Sequence, residues 1–302
     1  MRLQCIAERE GKLLSFLRRE LALSSSLVKR LKFRGAYTVN GEHVFTDYPV
    51  RIGDRIEVCL DEDAPVNYEP EQGSLQILYE DEWLIAPDKP AGVLMHPSSS
   101  RNSGTLANFL LDYYQKTGQA SAVHPVSRLD RDTFGVVLLA KSSHVHARFH
   151  AMQRAGELEK IYRAAVFGVP SAESGVIDAP IARVEGSSLL RRVDPSGKPA
   201  RSAYRVLETR PVRGTVCSLL ELHPLTGRTH QLRLHCLHIG CPILADPQYA
   251  TDESRAFSDA LGLLGQRLCA VSLRFVHPIT GKNVEILSNQ AVGLDFSPAE
   301  GV

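Results

Sequence analysis

The chain has 302 residues, 43% of them hydrophobic, with 35 Lys and Arg against 34 Asp and Glu and a formal charge of +1. That length can bury a core in one large domain or two unequal ones, and the composition excludes wholesale disorder, collagen and coiled coil. No apolar run approaches the roughly 20 residues a membrane-spanning helix needs, and the start, MRLQCIAEREGKLL, is too polar for a signal peptide, so a cytoplasmic protein with no membrane contact is expected. Six cysteines (Cys5, Cys59, Cys217, Cys236, Cys241, Cys269) show no C-x-x-C and are expected to be reduced core residues. Taken alone, a net charge near zero argues against a strongly basic nucleic-acid binder.

The charge is not evenly spread. Residues 1–60 carry eleven basic against seven acidic side chains, a surplus of +4, whereas residues 61–80 hold six acids and no base. Two prolines and a glycine in that acidic stretch mark residues 61–74 as a linker between a small domain, 1–60, and a large one, 75–290, followed by a tail, 291–302. In the small domain Leu13, Leu14, Leu17 and Leu21 recur at helical spacing. Ser24, Ser25 and Ser26 can cap a second helix, LVKRLKFRG, that ends at Gly35. Asn40-Gly41 then predicts a hairpin turn, and RIGDRIEVCL a closing strand. On charge alone, Lys29, Arg30, Lys32 and Arg34 read as a solvated helix face.

The order of these features changes that balance. Capped helix, basic run, Gly, a V-N-G strand and G-D-x-I-x-V resemble, over residues 12–60, the RNA-binding domain shared with a small-subunit ribosomal protein, the alpha-L type. The resemblance implies that Lys29, Arg30, Lys32 and Arg34 lie against RNA phosphates, which give affinity without sequence readout.

Beyond the linker, strands are predicted over Trp83–Ala86, Phe134–Ala140, Ile161–Phe167, Ala203–Glu208, Val216–Leu222, Cys269–Phe275 and Val284–Leu287. Helices are predicted over Thr105–Gln115, His144–Arg154 and Thr229–Ile239. No regular β-α-β alternation is present, so an α+β fold with a mixed or antiparallel sheet and flanking helices is expected.

Three segments can carry chemistry. In SRLDRDTFGVVLLAK a polar cluster runs into an apolar strand, which puts Asp130 at the mouth of a buried element beside Arg128, Arg131 and Asp132. This is either a loop of surface ion pairs or a carboxylate kept ionised and fixed as a nucleophile or base. The segment ELHPLTGRTHQLRLHCLHIGCPILADPQYA concentrates Arg228, His230, Arg233, His235 and His238 with two cysteines. Its H-x4-H-C-x-H-x2-C spacing points around the whole helix, so no metal site is expected; Arg228 and Arg233 could instead face phosphate or carboxylate. In the third, alternation puts Lys160, Tyr162 and Ala164 on one strand face, where Tyr162 is a packing residue or a base-stacking platform.

R-L-D-x-x-T-x-G, K-x-Y-x-A, P-x-T-G-R-T-H-Q-L-R-x-H and G-x-P-I-L-x-D-x-x-Y, in this order, closely resemble the RluA-type pseudouridine synthases from about Leu75 to Leu287, with D-K-P-A-G-V-L-M-H-P at residues 88–97. With its basic N-terminal domain, the chain resembles the ribosomal RNA members of that family. The resemblance implies an isomerase without cofactor or metal that flips a uridine out of RNA, detaches its uracil and rejoins it through carbon. It further implies Asp130 as the catalytic carboxylate, Arg233 as its salt-bridge partner and Tyr162 as the residue stacked on the base. Arg128 becomes the arginine of base flipping, Arg228 and His230 position substrate or loop, and Lys160 supports them. Ser127 stands where His is commoner, Phe134 where Ser is, and Ala245 where Gly is frequent, which puts the preference for an RNA site in question. Ribosomal RNA is the expected partner of a monomer; transfer RNA is the alternative substrate within the family. A non-catalytic ribosome-assembly factor is the alternative outside it, against which the intact Asp130, Tyr162 and Arg233 set argues.

Overall fold

Leu13, Phe16 and Leu17 lie three and four residues apart, so a single helical face buries all three. The structure, a computed structural model, describes residues 2–32, 34–60, 68–97, 102–119, 122–187 and 189–293. Its first part runs β1 (Arg2–Ile6), β2 (Gly11–Lys12), α1 (Leu13–Arg19), α2 (Ser25–Lys32), β3 (Tyr37–Val39), β4 (Glu42–His43), β5 (Pro49–Val50) and β6 (Arg55–Cys59). A four-stranded sheet has the order β1-β6-β3-β4. Ser24 caps α2, its hydroxyl accepting the Leu27 N–H at 3.2 Å. Asn40 (φ 53°) and Gly41 (φ 87°) supply the left-handed pair that the β3–β4 hairpin needs. Strand β1, which the sequence pattern did not predict, pairs only with β6 and buries Leu3.

The second part runs β7 (Gln76–Glu80), β8 (Leu84–Lys89), α3 (Leu106–Lys116), β9 (His124–Pro125), β10 (Phe134–Val136), β11 (Leu139–Ala140), α4 (Ser143–Ala155), β12 (Leu158–Phe167), β13 (Ser174–Asp178), β14 (Ile181–Arg183), β15 (Arg191–Val193), β16 (Arg201–Val212), β17 (Thr215–Pro224), α5 (Gln231–His238), α6 (Asp252–Ala260), β18 (Leu268–Val276) and β19 (Asn283–Leu287). An 11-stranded sheet takes the order β13-β16-β17-β12-β18-β10-β8-β11-β9, with β19 added to β18 and β7 to β8. Its pairings are antiparallel except β10 with β18. The fold is therefore the expected α+β class with a mixed sheet.

Strand alternation gives the sheet two faces. Ala164 and Val166 of β12, Leu222 of β17 and Leu268 of β18 pack with Leu232 and Cys236 of α5, with Tyr162 against them. On the other face Ala165, Cys217 and Cys269 form a separate cluster, and further along β18 Leu273 and Phe275 meet Val145 and Phe149 of α4. Helices α5 and α4 thus cover opposite faces.

Several expectations are corrected. The run Phe134–Ala140 is two short strands, because Pro87 of β8 accepts the Val137 N–H at 3.1 Å but has no N–H to return, which interrupts the ladder before Leu139 and Ala140 resume it. Residues 61–67 of the expected linker lie outside the described residues. Its second half is not a free tether, since Glu71 accepts the Gly104 N–H at 2.5 Å and donates its own N–H to Asn108. In the expected tail Val292 is buried, and residues 294–302 lie outside the described residues. All six cysteines are free thiols and four are buried, but Cys59 is exposed, at the end of a strand whose alternation turns it outward.

Candidate active site

The loop between β9 and β10 carries Asp130 and is held from several directions. Lys89, fully buried, donates to the carbonyls of Pro90, Val93 and Arg131 at 2.9, 2.7 and 2.8 Å, using all three ammonium protons. Burial pulls its pKa down to about 7, opposed by the charges of Asp132 and Asp130. Gln266 donates to the buried hydroxyl of Thr133, and Ser127 accepts the Leu138 N–H at 3.3 Å. Arg131 forks onto Asp132, with both bonds at 2.9 Å, and so leaves Asp130 to another cation. Gly135 sits at φ 106°, where a side chain would strike the Ala270 backbone. The Thr and Gly of R-L-D-x-x-T-x-G are therefore explained by packing of the loop against β18.

The cation is Arg233, which α5 projects from the sheet face that also carries Tyr162. Its Nε and Nη2 donate to Asp246 at 2.7 Å each, Nη1 donates to Asp130 Oδ2 at 3.1 Å, and Nη2 also reaches Gln248 at 3.2 Å. Burial opposes this charge, but the two carboxylates outweigh it and hold the guanidinium pKa above its usual value. Asp246 is buried too, which alone would raise its pKa. The Arg233 bonds and charge, with the N–H groups of Gln248 and Tyr249, bring it below the usual carboxylate range. The sequence paired Arg233 with Asp130 alone. In the structure its two-pronged partner is Asp246, and Asp130 receives one bond, from Nη1.

Tyr162 follows a β-bulge at Ile161, an irregularity of the kind that re-aims side chains beside active sites. Burial first, then the nearby Asp130 charge, pushes its phenol pKa well above the usual value, so the hydroxyl keeps its proton at neutral pH. Lys160 lies across that bulge, opposite Leu273 where Tyr162 lies opposite Ala270, so the strict alternation expected to set it beside Tyr162 is broken; burial lowers its pKa. Arg128 is exposed, two residues before Asp130, and its charge adds to burial in lowering the His96 pKa. His230 lies 4.0 Å from Asp130 Oδ2 through Nε2 and 2.7 Å from the Tyr249 hydroxyl through Nδ1.

Asp130, Arg233 and His230 are thus brought into one cluster, with Tyr162 close enough for its proton affinity to sense Asp130. Arg228 does not join them as an anion ligand: its Nε donates to the Pro199 carbonyl at 3.0 Å and its N–H to Gln231 at 3.0 Å, which fixes the turn into α5. His235 spends both ring nitrogens, on Ser202 at 2.9 Å and the Ala179 carbonyl at 3.0 Å. Phe134 faces the opposite side of the sheet, in the cluster of Ala165 and Cys217, so it fills core instead of flanking the loop opening. Lys29, Arg30, Lys32 and Arg34 are exposed, and Arg30 lines a cavity of about 900 Å³ with Arg148 of α4, on the sheet face away from Tyr162. Sequence reasoning missed Lys89, Asp246 and Tyr249, although all three stand inside quoted motifs.

A buried guanidinium locking a partly exposed carboxylate beside a protonated tyrosine, on an α+β mixed sheet, is an arrangement suited to acid, base or nucleophilic chemistry. Residues 84–238 match the family model described as RNA pseudouridylate synthase. An uncharacterized RNA pseudouridine synthase of Bacillus subtilis, YjbO, is 35% identical over 267 residues, 88% of this chain and 90% of that protein. Ribosomal large subunit pseudouridine synthase C of Vibrio cholerae is 32% identical over 283 residues, 90% of this chain and 87% of that protein. The solved structure of human RNA pseudouridylate synthase domain containing 1 superposes with a TM-score of 0.59 at 26% identity, covering 73% of this chain and 86% of that one. The chain belongs to the RNA pseudouridine synthase family, isomerases that convert uridine in RNA to pseudouridine.

Proposed function

We propose that this chain isomerises specific uridines of large-subunit ribosomal RNA, with Asp130 as the catalytic carboxylate. The ribosomal substrate is supported by the large-subunit activity for which the Vibrio cholerae relative is named and by the basic surplus of residues 1–60. The observation that carries the reading is the asymmetry of Asp130. Its Oδ2 is tied to the buried Arg233, while its side chain remains 29% exposed and open to a substrate.

The reaction breaks the bond from ribose C1′ to uracil N1 and forms one from C1′ to C5; the C5 proton leaves and N1 gains a proton. No net oxidation occurs, so carboxylate and phenol chemistry suffices. Arg233, anchored by Asp246, keeps Asp130 oriented. Tyr162 stacks on the flipped base and, being protonated, can donate to it. Arg128, exposed at the loop entrance, fills the space the flipped base leaves or binds its phosphate. Arg228 fixes the turn into α5, His230 helps to position the Asp130 loop, and Lys160 supports the Tyr162 strand. Residues 1–60 form the RNA-capturing domain, with Lys29, Arg30, Lys32 and Arg34 on phosphates.

The test is a map of pseudouridines across total RNA from cells with and without this gene, and with the gene restored as Asp130→Asn. Loss at defined ribosomal positions, unrestored by the variant, is expected. Loss in transfer RNA would overturn the substrate, and restoration by Asp130→Asn would overturn the assigned carboxylate.

A further inference from the structure

Tyr249 stands in no role so far, yet it is buried and touches three residues of the site. Its hydroxyl lies 3.0 Å from the Arg191 backbone nitrogen and 2.7 Å from His230 Nδ1, and its ring stacks under the Arg233 guanidinium at 4.8 Å. A backbone N–H can only donate, so the Tyr249 oxygen accepts from Arg191, and among the described hydrogen-bond partners of this buried hydroxyl only His230 Nδ1 can take its proton. With Nδ1 accepting, the neutral imidazole carries its proton on Nε2. That nitrogen is the one facing Asp130 Oδ2, at 4.0 Å.

The backbone is committed to this arrangement. His230 caps α5 at φ 57°, a left-handed conformation that is unfavourable for a side-chain-bearing residue, and it makes no side-chain cap bond there. The strain aims the ring at Asp130 and Tyr249 instead of at the helix end. The charged groups around the imidazole come from every adjoining element: Asp130 from the catalytic loop, Arg233 from α5, Asp246 from the turn after it, and Arg191 from β15. Burial, with Arg233 and Arg191, outweighs the two carboxylates and lowers the His230 pKa, favouring the neutral ring.

We propose that Tyr249 and His230 are positioning residues that turn a neutral Nε2–H towards Asp130 Oδ2, where at 4.0 Å it is poised to close onto the oxygen that Arg233 already holds once substrate is bound, leaving Oδ1 as the oxygen that reacts. The proposal rests on the assignment of Asp130 as the reacting carboxylate. A neutral donor fixes the carboxylate without neutralising it, whereas an imidazolium would weaken it as base or nucleophile. Gaining a proton at His230 should therefore quench the reaction, and the acid limb of the pH–rate profile should report His230.

The test uses the full chain and bulk RNA labelled with 5-tritiated uridine, isolated from cells lacking the gene; tritium released from C5 is counted under single-turnover conditions. Tyr249→Phe keeps the ring under Arg233 and removes the proton that holds His230 Nδ1. The expected result is a rate constant about tenfold lower, unchanged RNA affinity, and an acid limb moved to higher pH, because the neutral imidazole has lost its hydrogen bond. His230→Gln should retain part of the rate through its amide N–H and lose the acid limb. A Tyr249→Phe enzyme with the wild-type rate and pH profile, or a His230→Gln enzyme with the original acid limb, would overturn the relay. If Asp130→Asn is inactive in the same assay, such a failure belongs to the relay alone; turnover by Asp130→Asn would remove the assignment beneath it as well.

Discussion

Replacing Asp246 by Asn isolates what holds the guanidinium of Arg233. Two hydrogen bonds of 2.7 Å join the pair, and both residues are almost wholly buried, at 4% and 2% exposure. The Asn oxygen can still accept from the Gln248 and Tyr249 N–H groups, but its amide nitrogen would face the Arg233 Nε–H, and the charge is gone. Removing one partner of a buried ion pair costs about 3–5 kcal/mol, and the surviving backbone bonds place this case near 3. For a folded unit of a couple of hundred residues each kcal/mol moves Tm by about 2–4 °C, so calorimetry at pH 7 should show a fall of about 6–12 °C. The folded pKa of Asp246 lies below its unfolded value, so the unfolded chain takes the proton first. The stabilisation is therefore fully present above the unfolded pKa of about 3.9 and fades as the pH falls through the folded one, and wild type and variant should converge in acid. A loss under about 1 kcal/mol, or a difference independent of pH, would refute this account of Arg233.

Three further outcomes follow from the geometry. Ala245, at φ 55°, occupies a left-handed position that costs it about 1–2 kcal/mol, and Ala245→Gly recovers this less about 0.4–1 kcal/mol of unfolded-state entropy. Urea titration should show the variant more stable by about 0.5–1 kcal/mol, with an unchanged slope. Tyr162→Phe should bind RNA as the wild type does while its single-turnover rate falls by about 100-fold or more, since the phenol that burial and Asp130 keep protonated is lost. Replacing Lys29, Arg30 and Lys32 together by Ala should flatten the dependence of log affinity on log salt by about 2, each phosphate contact contributing about 0.7–0.9; an unaltered slope would return α2 to a solvated face.

The sequence was most legible where chemistry is written in contiguous residues. R-L-D and T-H-Q-L-R named both ends of the Asp130–Arg233 contact, although 103 residues separate them. The serine cap of α2 and the Asn40-Gly41 hairpin were equally local and formed as expected. The other half of the site depends on where the chain returns after α5. Ala245 turns through a left-handed conformation, and only that turn carries Asp246 back beneath Arg233 and Tyr249 back to His230. A spacing of 13 or 19 residues encodes none of this, so the motif holding Asp246 and Tyr249 could be quoted while their partners stayed hidden. Lys89 was hidden for a different reason. A lysine beside a proline reads as surface, and its burial comes from three carbonyls, one of them 42 residues away. Strands β14 and β15, only three residues each and rich in Arg, lack the apolar alternation that would betray them. Helix α6 is specified by its Thr251–Ser254 capping box more than by an apolar face. In this fold the position of Asp130 is thus local information. Its orientation is set by groups recruited from distant turns, which makes those turns, at Ala245 and His230, the places where substitutions should change rate without touching the substrate.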